Sequence, residues 1–464
     1  MTTTDRSIGA ASGATASDAM ATVERVLDLV RARAATADAE VRVATGVEAL
    51  TRFANSFIHQ NVAEGVSSVA LRVALDGHVA ATSLDGPPTD ETLSRLVDGA
   101  IEAARVRPVD PDWPGPAEPD APPAVDHWDD ATAAAGPDER ARRVADFVAA
   151  GDGLETAGFC STGALSVAFA NTRGQSLRGR ATSAVIAGIA RTPTADGGAQ
   201  AASVGLAALD GRALGSEAAR RAREASDPTD LEPGEYEVVL GPQAIANILE
   251  FLAIYGFNGR AVEEGRSFVR LGEGQFDPSI TLLDDATDPE QLGVPFDVEG
   301  TPKRPVELVR DGVTAAVLHT RRTARRAGPG IRSTGGAEPG GEGWGALPGN
   351  LVLLPRDRSD DELVAGVARG VLVTDFHYTR VLDPRTIVVT GLTRNGAWLV
   401  EDGRIARPVR NLRFTQSYVD GLGPGRVRAI GRDRTLLAGE WDSTSALVPS
   451  IHLASWHFTG NARG

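Results

Sequence analysis

Hydrophobic positions recur with two periods along this chain, and the alternation between them lays out its elements. From Met20, the residues Val23, Val26, Leu27 and Val30 fall at helical spacing and predict an amphipathic helix that packs on a sheet. Extended segments follow: AEVRVATG from Ala39, ALTRFANSFIHQN from Ala49, and VSSVALRVALDGHVAATS from Val66. In the last of these, alternation on both sides of Asp76-Gly77 predicts a hairpin, and the three together predict an antiparallel sheet. Helical spacing returns over 91–106, 138–151 and 211–225, with a further hairpin predicted around Asn171 to Gly174. Seven prolines between Pro108 and Pro123 exclude regular structure, so 107–123 reads as an extended surface connection.

The second half turns on one helix. Ile245, Ile248, Leu249 and Leu252 fall at i, i+3, i+4 and i+7, and Phe251 and Ile254 add apolar surface elsewhere, so this helix is expected to be largely buried. Pro242 suits its first turn, where a missing N–H costs nothing, and Gly256 and Gly259 supply the stop. Beyond it, Asp311-Gly312, Asp383-Pro384, Asn395-Gly396 and Asp402-Gly403 punctuate β-branched runs and read as turns of a curled antiparallel sheet. The expected fold class is α+β: a mobile leader over 1–19, an N-terminal α/β domain with an antiparallel sheet over 20–225, a turn-rich boundary, and a β-rich, barrel-like domain over 233–464.

Composition narrows the functional classes. A chain of 464 residues with 42% hydrophobic residues is long enough for two or three cored domains. A formal charge of −15 opposes the phosphate attraction that nucleic-acid binding requires, so no nucleic-acid partner is expected. The single cysteine, Cys160, cannot form an intrachain disulfide, and neither a signal peptide nor an apolar run long enough to span a membrane is present. A soluble, cytoplasmic protein without a membrane partner is expected.

The buried helix invites a search for a metal site, since two histidines about a turn apart can grip a zinc ion while a neighbouring glutamate activates its water. No histidine occurs between His127 and His319. Glu250 is the helix's only carboxylate, either a remnant of a metal-helix glutamate or the polar edge of a core helix. His452 and His457 are five apart and in a continuous strand point to opposite faces, so a shared ion would need a bulge or turn between them. There is no Gly-x-Ser-x-Gly elbow and no Gly-Lys-Ser/Thr ending in the glycine-rich run 328–349. Arg321, Arg322, Arg325 and Arg326 precede that run. They read either as a clamp for a peptide carboxylate, using the bidentate guanidinium fork, or as a solvated basic face. His377, between Phe376 and Tyr378, joins them as a peptide-binding candidate. A strand-dense domain has its own route to broad specificity, accepting a peptide as an added strand.

Three ordered blocks carry a resemblance. TRFANSFIHQN (51–61), EEGRSF (263–268) and the pattern G-x-x-x-x-G-x-x-L-V-E-D-G-R-I-x-x-P-V (391–409) together resemble the TldD/PmbA family of metallopeptidases, and the likeness runs from about Ala39 to the C-terminus. The resemblance implies an N-terminal α/β domain followed by a barrel-like domain. It also implies, in active TldD-type subunits, a His-Glu-x-x-x-His helix and a later cysteine as zinc ligands, with peptides cleaved in a cavity formed by a dimer. This chain departs at every ligand: its helix has no histidine, and its cysteine lies in the N-terminal half. That departure matches the PmbA or TldE-type partner subunit. It implies no catalytic residue and no metal or cofactor in this chain, with zinc held by a TldD-type partner in a heterodimer and unfolded peptide as substrate. The alternative is a homodimeric peptide-binding scaffold without hydrolytic activity; a peptidase with unrecognised ligands is a third reading. The family's older label, modulator of DNA gyrase, fits the acidic balance poorly as a direct DNA role.

Overall fold

A computed structural model describes residues 16–439 and 444–462. Most of the expected leader lies outside the described residues, and its last part belongs instead to the helix Ala16–Arg33, which begins before its apolar periodicity does. The N-terminal half is built on one antiparallel sheet of β1 (Asp38–Ala54), β2 (Phe57–Leu75), β3 (His78–Asp85), β4 (Glu155–Asn171), β5 (Ser176–Arg191) and β6 (Asp196–Ser203), in the order β3-β2-β1-β4-β5-β6. Its first hairpin corrects the sequence reading: the segment from Ala49 is two strands, not one. Asn55 and Ser56 turn the chain at φ 50° and 63°, and the Ser56 hydroxyl holds that turn by donating to the Leu154 carbonyl at 3.3 Å and accepting from the Thr156 N–H at 3.0 Å.

Alternation along these strands sorts their side chains to two faces. On one, Val41, Val43, Val69, Leu71 and Val73 meet Val23, Val26 and Val30 of the first helix and Val97 and Ile101 of the helix Asp90–Val106. Further along the same face, Phe53, Cys160, Ala184 and Ile186 meet Val144 and Phe147 of the helix Pro137–Ala150 and Ala218, Ala219 and Ala222 of the helix Gly211–Glu224. Each such large apolar side chain contributes roughly 1.5–3 kcal/mol by leaving water. Gly215 lets those two helices touch: a Cβ there would lie 2.3 Å from the Phe147 carbonyl oxygen. The opposite face carries no helix and looks toward the C-terminal half.

There, five strands close into a barrel: Gly234–Leu240, Ile451–Asn461, Leu412–Ser417, Val388–Glu401 and Arg369–Asp383, the last pairing with both Val388–Glu401 and Gly234–Leu240. Its interior is aromatic, with the Phe376 ring centroid 4.4 Å from Phe414 and 5.4 Å from Trp456. The predicted helix spans Pro242–Tyr255 with Pro242 in its first turn, and it is buried between the barrel and a second, six-stranded sheet.

Turn signals held at Asp76-Gly77, Asp311-Gly312 and Asp402-Gly403, where both residues take positive φ and the hairpins close. Asn395-Gly396 is different. Both residues take positive φ, 58° and 122°, but inside the continuous strand Val388–Glu401, where they stand opposite the single residue Thr374. The dipeptide makes a bulge, not a hairpin, because its partner strand runs on unbroken and the extra residue has nowhere to pair.

The proline-rich connection is irregular, as its composition requires, yet it is not a surface strap throughout. Gly115, Pro116 and Ala117 are buried, and the Ala117 N–H donates to Glu40 at 3.2 Å.

Candidate functional site

The helix-free face of the N-terminal sheet and the loops of the C-terminal half enclose a cleft of about 1030 Å³. Period-two alternation puts Leu50 of β1, Val62 and Glu64 of β2, Ser161 and Leu165 of β4 and Ser183 of β5 on its sheet wall. Two apolar contacts join the halves beside it. Phe296 packs on Val167, Phe169 and Leu177, while Leu436 and Leu447 pack on Ala202.

The C-terminal wall is charged. Lys303 lies 3.9 Å from Glu338, and burial raises the Glu338 pKa above the usual carboxylate range despite the pull of Lys303 and Arg42. Burial correspondingly lowers Arg42, with Glu338 opposing that shift. Asp297 is pushed up to about 7, first by burial and then by the neighbouring Glu299 carboxylate, although the N–H groups of Thr301, Ala337 and Glu299 hydrogen-bond to it.

The cleft reaches the central helix through Thr444, which lines it and whose hydroxyl donates to Glu250 at 3.3 Å. Glu250, the helix's only carboxylate, is buried. The helix offers that carboxylate and no imidazole, and no group of three His, Cys, Asp or Glu side chains among the described residues is arranged to hold a metal ion. These residues do not fit the zinc site that the resemblance implies for catalytic subunits.

The structure takes the other candidates elsewhere. Arg321 is nearly buried and pairs with Glu40 at 2.5 Å and with Glu299 at 3.5 Å. Arg322 pairs with Asp110, Arg325 donates to the Trp113 carbonyl at 2.9 Å, and Arg326 pairs with Glu263. These contacts tie the helix Arg321–Ala327 to the proline-rich connection; Arg325 and Arg326 are still exposed, and none of the four lines the cleft. His377 sits on the barrel strand with its ring edge to face with Tyr378 and 2.6 Å from the Arg394 guanidinium. His452 is buried against Glu237 at 3.2 Å while His457 is exposed. Cys160 lies in the helix-covered core, where burial pushes its thiol up to about 12.

Sequence reasoning missed the cleft because its walls come from segments far apart in the chain. The alternation within β1, β2, β4 and β5 was readable, but not that their polar-leaning face would be roofed by the other half.

Comparison with known proteins agrees with this architecture. Residues 233–460 match the model of the PmbA/TldA metallopeptidase C-terminal domain. A metalloprotease of Methanothermobacter thermautotrophicus is 24% identical over 52% of this chain and 51% of its own length. The chain spans about half, or less, of the length of the curated relatives it matches. TldE from Thermococcus kodakarensis superposes with a TM-score of 0.83 at 17% identity, over 97% of this chain and 100% of that one. A Thermotoga maritima protein described as a modulator of a DNA gyrase gives 0.83 at 19% identity, over 95% and 100%. No helix among the described residues is long and apolar enough to cross a membrane.

Proposed function

Since the chain belongs to the PmbA/TldD family, we propose that it is the non-catalytic, TldE-type subunit of a cytoplasmic zinc peptidase, holding unfolded peptide in the interdomain cleft while a TldD-type partner supplies the metal. One observation carries the reading. The cleft is large and reaches the central helix, but that helix brings Glu250 and no imidazole to the place where a catalytic subunit of the family would hold its ion.

The cleft suits an unfolded chain. Its sheet wall alternates apolar and polar positions without a deep pocket for one side chain, which favours a substrate held by its backbone over one selected by sequence. The strand β2 adds to this: β3 covers only Ser68–Leu75 of it and Gly86 takes the Ser67 carbonyl, so the outer edge of 57–66, beside the cleft, has no strand partner among the described residues.

The test is to purify the chain alone and together with a TldD-type subunit, measuring bound metal and cleavage of an unfolded protein in each. Zinc and chelator-sensitive cleavage that arise only in the pair support the reading. Stoichiometric zinc with cleavage by the chain alone sinks it. Peptide binding by a self-associated chain, with no gain on adding the partner, replaces it with the homodimeric scaffold.

A further inference from the structure

A second cavity of about 330 Å³ lies on the same helix-free sheet face, within the range of small-ligand sites. Along β4, Ser161 to Leu165 line the large cleft and Ala157 to Phe159 line the small cavity; along β5, Ala181 to Val185 line the one and Ala187 to Ile189 the other. The two spaces are consecutive on the same strands, so an extended chain lying along the cleft is directed into the small one.

The walls of that cavity are chemically unlike. The sheet side is mostly apolar, glycine, alanine, Phe159 and Ile189, with Gln200 its one polar side chain. The facing side carries Gln243 from the first turn of the central helix, Thr374 and Asp375 from one barrel strand, and Asn395 from the next. The bulge at Asn395-Gly396 stands opposite Thr374 and sets Asn395 beside Asp375. Asn395 Nδ2 donates to Asp375 at 3.1 Å, which fixes the orientation of its amide. Asn395 Oδ1 and Gln243 Oε1 are then buried with no donor, although buried acceptors are normally paired. Thr374 spends its hydroxyl on the Arg394 and Gly396 carbonyls. The lining thus offers two orphaned acceptors and a carboxylate to a donor-rich guest.

The one cation of the lining, Arg221, is already balanced, 2.6 Å from Glu217 and donating to the Gly198 carbonyl at 2.7 Å. The positive end of the central helix beside Gln243, about half a charge, opposes a cation less than a direct contact with a carboxylate favours one.

Resting on the peptide-holding reading above, we infer that this cavity takes the free α-ammonium end of the peptide in the cleft, its three N–H donors meeting Asp375, Asn395 and Gln243. The first side chain then lies on the apolar strand wall. The chain would hold its substrate from the amino terminus, which sets the direction of the peptide in the cleft.

The experiment measures binding of one short unstructured peptide to the full chain, alone and paired with a TldD-type subunit. The peptide is used in three forms: free at both ends, N-acetylated, and C-amidated. N-acetylation is expected to weaken binding about tenfold or more, the loss of a charge-assisted contact, while C-amidation leaves it unchanged. In Asp375→Asn, the free peptide is expected to fall to the level of the acetylated one, which itself should not change; comparing peptide forms on the unaltered protein needs no variant to fold. Equal binding of free and acetylated peptide overturns the inference and leaves the peptide-holding reading standing. Loss on C-amidation overturns it in favour of a carboxylate at Arg221. Absence of binding by every form, alone and paired, removes the peptide-holding reading itself.

Discussion

Arg321 reaches 281 positions back along the chain to donate to Glu40 of β1 at 2.5 Å. Around them, Arg72 lies 3.0 Å from Glu40 and 3.5 Å from Glu299, and Trp113 of the proline-rich connection stands between the two guanidinium groups, 5.6 Å from Arg72 and 5.5 Å from Arg321. Both Glu40 and Arg321 are nearly excluded from water, so the pair is a seam between the two halves and not a surface ornament. Burial is the largest influence on Glu40 and raises its pKa even against both arginines.

Removing one partner of a buried pair leaves the other charge stranded, which costs about 3–5 kcal/mol. Arg321→Ala leaves Arg72 beside Glu40 and is therefore expected to lower the unfolding free energy by less than that amount, read from denaturant melts. Arg325→Ala, whose side chain is exposed and makes one carbonyl contact, should cost far less. Equal effects would show that the seam contributes nothing.

The bulge at Asn395-Gly396 yields a second prediction. Gly396 holds φ 122°, and a Cβ there would lie 2.2 Å from the Trp398 ring, itself buried with its N–H on the Glu224 carbonyl at 3.0 Å. Gly396→Ala combines backbone strain of order 1–3 kcal/mol with a steric clash. It should lower thermal stability and, by shifting Asn395, weaken discrimination between free and acetylated peptide. Gly265→Ala, also at positive φ but with open space around it, should show the strain alone.

How much of this was legible beforehand follows the range of each signal. Pro242 and the spacing Ile245, Ile248, Leu249, Leu252 are local, and they placed the central helix and its burial. Asp76-Gly77 and Asp402-Gly403 placed hairpins for the same reason. Asn395-Gly396 carried an identical local preference for positive φ, but whether that preference makes a turn or a bulge depends on the pairing of Arg369–Asp383, which the dipeptide does not encode. Arg321 to Arg326 looked like a free basic cluster because their partners, Glu40, Asp110 and Trp113, lie some two hundred residues away. Charge is visible in sequence; its neutralisation is a tertiary fact.

Asp297 gives the chain a defined pH dependence. Its folded pKa, about 7, stands above the ordinary value of 3.8, so between these limits the folded state holds the proton more tightly than the unfolded state does. Its contribution to stability is fully present below about pH 4 and is lost as pH rises through about 7. Denaturant midpoints measured across that window should show a falling component in the parent protein. That component should be missing from Asp297→Asn, which cannot titrate. A parent and variant with parallel pH profiles would mean that the carboxyl is not shifted.

Cys160 supplies the simplest check of the N-terminal core. Its thiol is buried between β1 and β5 beneath the helix Pro137–Ala150, and burial raises its pKa to about 12, so almost none is thiolate at neutral pH. Arg140, whose guanidinium donates to Thr51 and Thr162 nearby, pulls the other way without prevailing. Because the thiolate is the reacting form, a thiol-specific dye should leave the native protein unlabelled and modify one group per chain once denaturant is added. The rate of labelling in dilute denaturant should then follow opening of that helix pair, and Phe147→Ala, which removes the ring at the centre of the same cluster at a cost of about 3–5 kcal/mol, should raise it. Rapid labelling of the native chain would mean that this face of the sheet is not sealed by the two helices.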